Sequence, residues 1–143
     1  MIRTNIFIIV ITCLAFLCPV SAFAKIPIYV SSQSSDIIGQ SILYQLKEKI
    51  STSEIFTIAN EQKESLISID ILIIGHTELG SDFAIYSAVW SVHHPKDNTF
   101  IYHSQSAGLS NFDKTKELAS SLFINTESVH ESIKVLVNSV YSK

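Results

Sequence analysis

Arginine is nearly missing from this chain. The one Arg is Arg3; residues 25–143 hold nine Lys, no Arg and 13 Asp or Glu, a formal charge of −4. A surface that grips nucleic acid needs a basic face and guanidinium forks for phosphate, so nucleic acid is excluded as a partner. Cysteine is missing in the same way. Cys13 and Cys18 both fall in the first 24 residues, which leaves the remainder without a disulfide or a thiolate metal centre. No Gly-x-Ser-x-Gly elbow and no His-Glu-x-x-His pair occurs. Glycine is scarce, at four residues, and no glycine-rich phosphate nest is present. After residue 24 no apolar run is long enough to span a bilayer.

The leader is the clearest positive feature. Arg3 gives a basic start, residues 6–20 an apolar stretch too short for a comfortable span, and Ala22-Phe23-Ala24 a small-x-small cleavage site. This predicts a signal peptide over 1–24 and a single exported domain over 25–143, periplasmic or secreted, with no membrane span after cleavage. Cys18 suggests lipid attachment, but Leu17 precedes it where such sites want a small residue; cleavage after Ala24 is the expectation. The mean hydropathy of +0.32 is inflated by the leader.

Beyond it the periods are readable. Residues 26–30 form an apolar β-branched run with Pro27 near its start, and Ser31-Ser32-Gln33-Ser34-Ser35 reads as a loop in which Asp36 caps a helix. Ile38, Ile42, Leu46 and Ile50 recur at four-residue spacing, with Leu43 alongside and Lys47, Glu48 and Lys49 on the wet side. A second strand covers 55–59. Ile67, Ile69, Ile71 and Ile73 then alternate along a third. Residues 83–94 form a fourth strand, apolar on both faces in its middle. Pro95-Lys96-Asp97-Asn98 signals a turn, and 99–106 returns as a fifth strand that Gly108 ends. Residues 112–123 and a stripe of Val129, Ile133, Leu136, Val137 and Val140 predict helix, with Asn125 marking a break. The order is β-α-β-β-β-α(α). It predicts the α+β class: a two-layer sandwich with a mixed four- to five-stranded sheet and helices on one face.

Tyr29-Val30-Ser31-Ser32, Asp36-Ile37-Ile38-Gly39-Gln40, the stretch Tyr44-Gln45-Leu46-Lys47-Glu48-Lys49-Ile50 and Ile85-Tyr86-Ser87-Ala88-Val89-Trp90 resemble the opening and central strand of small uncharacterised exported proteins of proteobacteria. That resemblance implies the fold and the compartment, and no activity. In topology the chain is also similar to the amino-terminal domain of the Tol-Pal propeller protein, an interaction module of the periplasm.

Candidate chemistry thins out under geometry. With a turn over 95–98, His94 pairs with Thr99 and Trp90 with His103. That puts His94 and His103 on one face but four residues apart along the strands, roughly 13 Å, too far to share one ion. His93 and His94 point to opposite faces. His76 and His130 add no ligand spacing. Asp70 and Asp82 flank strands without converging as a catalytic pair. The expectation is no enzyme, no cofactor and no metal.

What remains is the two-faced fourth strand. Tyr86 and Trp90 fall on its even face, and helices can cover only one face. The sequence therefore places an interaction surface at Tyr86, Trp90 and His103, used for a protein partner or a homo-oligomer. The alternative is a small-ligand or envelope-component binder using the open sheet face or the loop of residues 31–35. The register between the third and fourth strands decides which face is open.

Overall fold

Isoleucine alternation and a four-residue apolar repeat build this domain, and both appear where the sequence puts them. The computed structural model describes residues 24–34, 36–76, 83–94 and 96–141; the leader and most of the turn before the fourth strand lie outside them. The strands are β1 (Ile26–Gln33), β2 (Phe56–Ile58), β3 (Ile67–His76), β4 (Phe83–His94) and β5 (Thr99–Asn111). The helices are α1 (Ile37–Thr52) and α2 (Thr115–Tyr141), with single 3-10 turns at Gln62–Glu64 and Phe112–Lys114.

The sheet order is β2-β1-β3-β4-β5. β1 runs parallel to both β2 and β3, while β3, β4 and β5 form an antiparallel meander. Both helices pack on one face. The result is a two-layer α+β sandwich, as the element order predicts.

α1 forms because its apolar repeat aligns on one side. Ile38, Ile42, Leu43, Leu46 and Ile50 are all buried, and Lys47 and Glu48 are exposed. Asp36 caps it: the Gly39 N–H donates to Oδ1 at 2.8 Å. The Gly75 N–H, at the end of β3, donates to Oδ2 at 3.0 Å, so one carboxylate ties the helix start to the central strand. Gly39 and Gly75 admit no side chain there; a Cβ on Gly39 would collide with Ser34 Oγ, and one on Gly75 with the Asp36 carboxyl. The core joins α1, α2 and the helix-facing side of the sheet, from Ile28 through Ile67, Ile69 and Ile71 to Ala88 and Trp90.

Four boundaries differ from the sequence reading. β1 continues through Ser31, Ser32 and Gln33, because these residues pair with Asp70, Ile71 and Leu72 of β3; of the predicted Ser loop, Ser34 lies past the strand and Ser35 lies outside the described residues. β2 is three residues, shorter than 55–59. β5 runs through Gly108, whose missing side chain makes room for the Tyr86 ring: a Cβ there would lie 3.0 Å from Cε1. α2 is one helix rather than two. Asn125 costs a helix well under 1 kcal/mol, and its neighbours Leu122, Thr126 and Val129 are buried against the sheet. Past Ile133 the helix outruns its support, leaving Leu136 and Val137 exposed.

Candidate interaction surface

The β3–β4 register settles which face is open. Ile67 pairs with Val92, Ile69 with Trp90, Ile71 with Ala88 and Ile73 with Tyr86. Partners directly opposite share a face. The even residues of β4 therefore lie with the isoleucines, under the helices. Trp90 is 1% exposed. Its Nε1–H donates to Thr126 Oγ1 of α2 at 2.9 Å, and the Thr126 hydroxyl donates onward to the Leu122 carbonyl at 2.8 Å. This corrects the sequence reading: Trp90 anchors the helix layer to the sheet and is not a surface residue.

Tyr86 lies on the same helix-facing side, half-buried, with its hydroxyl 3.3 Å from Ser106 Oγ. His103 sits at a bulge. Trp90 pairs with Ser104 and Ser91 with Tyr102, so His103 is the extra residue rather than the partner of Trp90. Its Nδ1 is buried with no hydrogen-bond partner among the described residues. His103 lines a cleft of about 270 Å³ between β5 and α2, with Asn125 and Ser128 on the helix side and Trp90 at its floor. The three residues are thus neighbours, but on the covered side.

The open face consists of the odd residues of β4 with their neighbours. Across it Ile74 pairs with Ile85, and Ile85 with Leu109. Ile74 is 58% exposed, Ile85 53%, Leu109 71% and Leu72, one step along, 44%. They form an apolar row across three strands. Val89, Phe83 and Ala107 extend it. The electrostatics are as unusual as the hydrophobicity. Across all five strands Asp70 is the only Asp, Glu, Lys or Arg, so the charge of this acidic protein is carried by helices and turns. A solvated antiparallel face ordinarily alternates apolar-in with polar-out. Here the outward positions are mostly Ser, Gln, aromatic and aliphatic residues, and Asp70, opposite Val89, is the one charged side chain among them. The signal was present in the sequence as strands that hold a single charged residue, Asp70.

The face is shallow. A depression of about 300 Å³ on it is bounded by Ser31, Gln33, Asp70, Leu72, Ser87 and Val89. That geometry suits a flat partner better than a deeply enclosed small molecule. The predicted Ser loop supplies Ser31 and Gln33 to it as strand residues.

The titratable groups serve structure. Asp36 loses from burial, but the Gly39 and Gly75 N–H groups and the Ser34 hydroxyl hold its pKa below the ordinary carboxylate value. His130 is buried edge-on to Phe56 at 5.8 Å. Burial and then Lys134 push its pKa below the usual imidazole value, against an opposing pull from Glu131. His93 stacks on Phe100 at 5.0 Å, and its Nε2 lies 3.0 Å from Asn98 Oδ1. His94 Nδ1 lies 3.1 Å from an Asp97 carboxylate oxygen. Among the described residues no three His, Cys, Asp or Glu side chains gather as a metal site.

No protein-family model matches the chain, and no curated protein matches it in sequence. Among solved structures it is similar in shape to the PelC dodecamer from Paraburkholderia phytofirmans, at 9% identity and a TM-score of 0.48, over 77% of this chain and 89% of that one. A hypothetical protein from Chlamydia trachomatis gives 8% identity and a TM-score of 0.38, over 84% and 100%. A lipoprotein from Neisseria meningitidis gives 8% and 0.37, over 83% and 100%. Among the described residues of this chain no helix is long and apolar enough to cross a membrane.

Proposed function

We propose that this protein is a non-enzymatic exported domain that works by protein–protein contact, and that the contact surface is the open face of its sheet. The observation that carries the reading is the union of two properties on one face: the exposed row Leu72, Ile74, Ile85 and Leu109, and a set of five strands with one charged side chain. Large exposed apolar patches mark interaction sites in soluble proteins, and interface centres are depleted of charge. Export rests on Arg3, the apolar stretch and Ala22-Phe23-Ala24.

The test is a paired substitution in the full chain. Ile85→Lys lies on the open face and should change stability by no more than about 0.5 kcal/mol. It should release the protein from any larger species in which the wild type elutes after gentle extraction of the envelope. If the variant keeps the wild-type elution, the open face is not the contact surface.

A further inference from the structure

β5 is the outermost strand on the β4 side, thirteen residues long, and one of its two backbone rows has no strand neighbour among the described residues. Natural proteins blunt such edges with Lys, Pro, inward charge or very short strands. The opposite edge follows that rule, since β2 has three residues. β5 does not: it contains no Pro, no Lys and no Asp, Glu or Arg. Its bulge sits at His103, and from Ser104 to Asn111 the register is unbroken.

We propose that β5 pairs antiparallel with β5 of a second copy, about a two-fold axis at Gly108, joining two sheets into one of ten strands. The proposal rests on the open face being a contact surface. The axis follows from side-chain matching. Centred on Gly108, each Leu109 lies opposite the other copy's Ala107, each Gln105 opposite Asn111 and each Ser106 opposite Ser110, so like meets like. Gly108 meets itself, with no Cβ on either side. The two Leu109 side chains become diagonal neighbours about 7–8 Å apart, within reach of each other. Because Leu109 already pairs with Ile85, and Ile85 with Ile74, the apolar row of one copy runs without interruption into that of the other.

Charge favours a second copy over a foreign strand. Residues 25–143 carry a formal −4, so two copies repel wherever helices and turns meet. The uncharged edge lets them approach without that penalty. A foreign partner steered by opposite charge would find none on β5 to read.

Cysteine crosslinking tests the register. Gln105→Cys and Asn111→Cys in the full chain, mixed in equal amounts and oxidised, should form a disulfide-linked dimer at least about tenfold faster than either variant alone, since opposed Cβ atoms approach to disulfide range. The parent chain is the control for Cys13 and Cys18. In light scattering, Leu109→Lys should weaken the wild-type dimer at least about tenfold, with the circular dichroism spectrum of its fold unchanged. Equal crosslinking in mixed and unmixed samples, or a dimer indifferent to Leu109→Lys, overturns the pairing. If Ile74→Lys abolishes association while the β5 variants do not, the edge pairing falls and the open-face reading stands. A wild type that stays monomeric alone yet loses a different protein partner through Ile74→Lys has the same meaning. Association untouched by every one of these changes removes both.

Discussion

Trp90→Ala should unfold, or nearly unfold, the domain. The side chain is almost fully buried between β4 and α2, and truncating a core Trp costs about 3–5 kcal/mol in transfer and cavity terms. Domains of this size are stable by about 5–15 kcal/mol in all, so the loss takes a large share of the total. The hydrogen bond can be separated from the packing. Thr126→Val leaves the indole N–H buried without its acceptor, a cost of about 1–3 kcal/mol. Trp90→Phe combined with Thr126→Val removes donor and acceptor together and should cost less than the sum of the single changes. The assay is urea denaturation followed by far-UV circular dichroism, because Trp90 is the sole tryptophan and its variants lose the fluorescence probe. A loss below about 1 kcal/mol for Trp90→Ala would mean that the indole is not in the core, and the assignment of faces would fall with it.

Leu46→Asp should abolish folding, whereas Lys47→Asp should shift stability by about 0.5 kcal/mol or less, since Leu46 is buried and Lys47 exposed; a circular dichroism spectrum of each decides. His130 has a folded pKa below its unfolded value of about 6.5, so the unfolded chain binds the proton that the folded ring refuses. Stability should fall as pH drops below that value and be fully recovered above it, and His130→Phe should flatten that slope. Asp36 has its folded pKa lowered from 3.8, so it stabilises above that value and the contribution is lost as pH falls through the folded pKa. Asp36→Ala should cost about 0.5–2 kcal/mol at neutral pH and almost nothing in strong acid, read from denaturation midpoints.

α1 was legible because Ile38, Ile42, Leu46 and Ile50 repeat at a period only a helix has. β3 was legible because Ile67 to Ile73 alternate at a period only a strand has. The β3–β4 register was not. β4 is apolar on both faces in its middle, so Trp90 on the even side and Val89 on the odd side compete equally until Ile69 is seen opposite Trp90. Placing the surface at Trp90 followed from that ambiguity. Gly108 and Asn125 misled for a different reason. Each weakens an element locally, but Tyr86 fills the space over Gly108, and the buried turns around Asn125 hold the helix together. Tertiary packing outweighs local propensity at both. Counting from the turn over 95–98 pairs His103 with Trp90; the bulge shifts that register by one residue, and nothing in the local sequence marks it.

Photocrosslinking in the native envelope asks whether the open face, where Asp70 is the one charged strand residue, is where this protein meets its partner. A photoreactive residue at Ile85 samples the open face, and one at Tyr44, 71% exposed on α1, samples the opposite side at comparable accessibility. A discrete adduct should form from position 85 and none from position 44, with the adduct mass reporting a second copy or another protein. An adduct at position 44 alone, or equal labelling from both positions, would contradict the open-face reading.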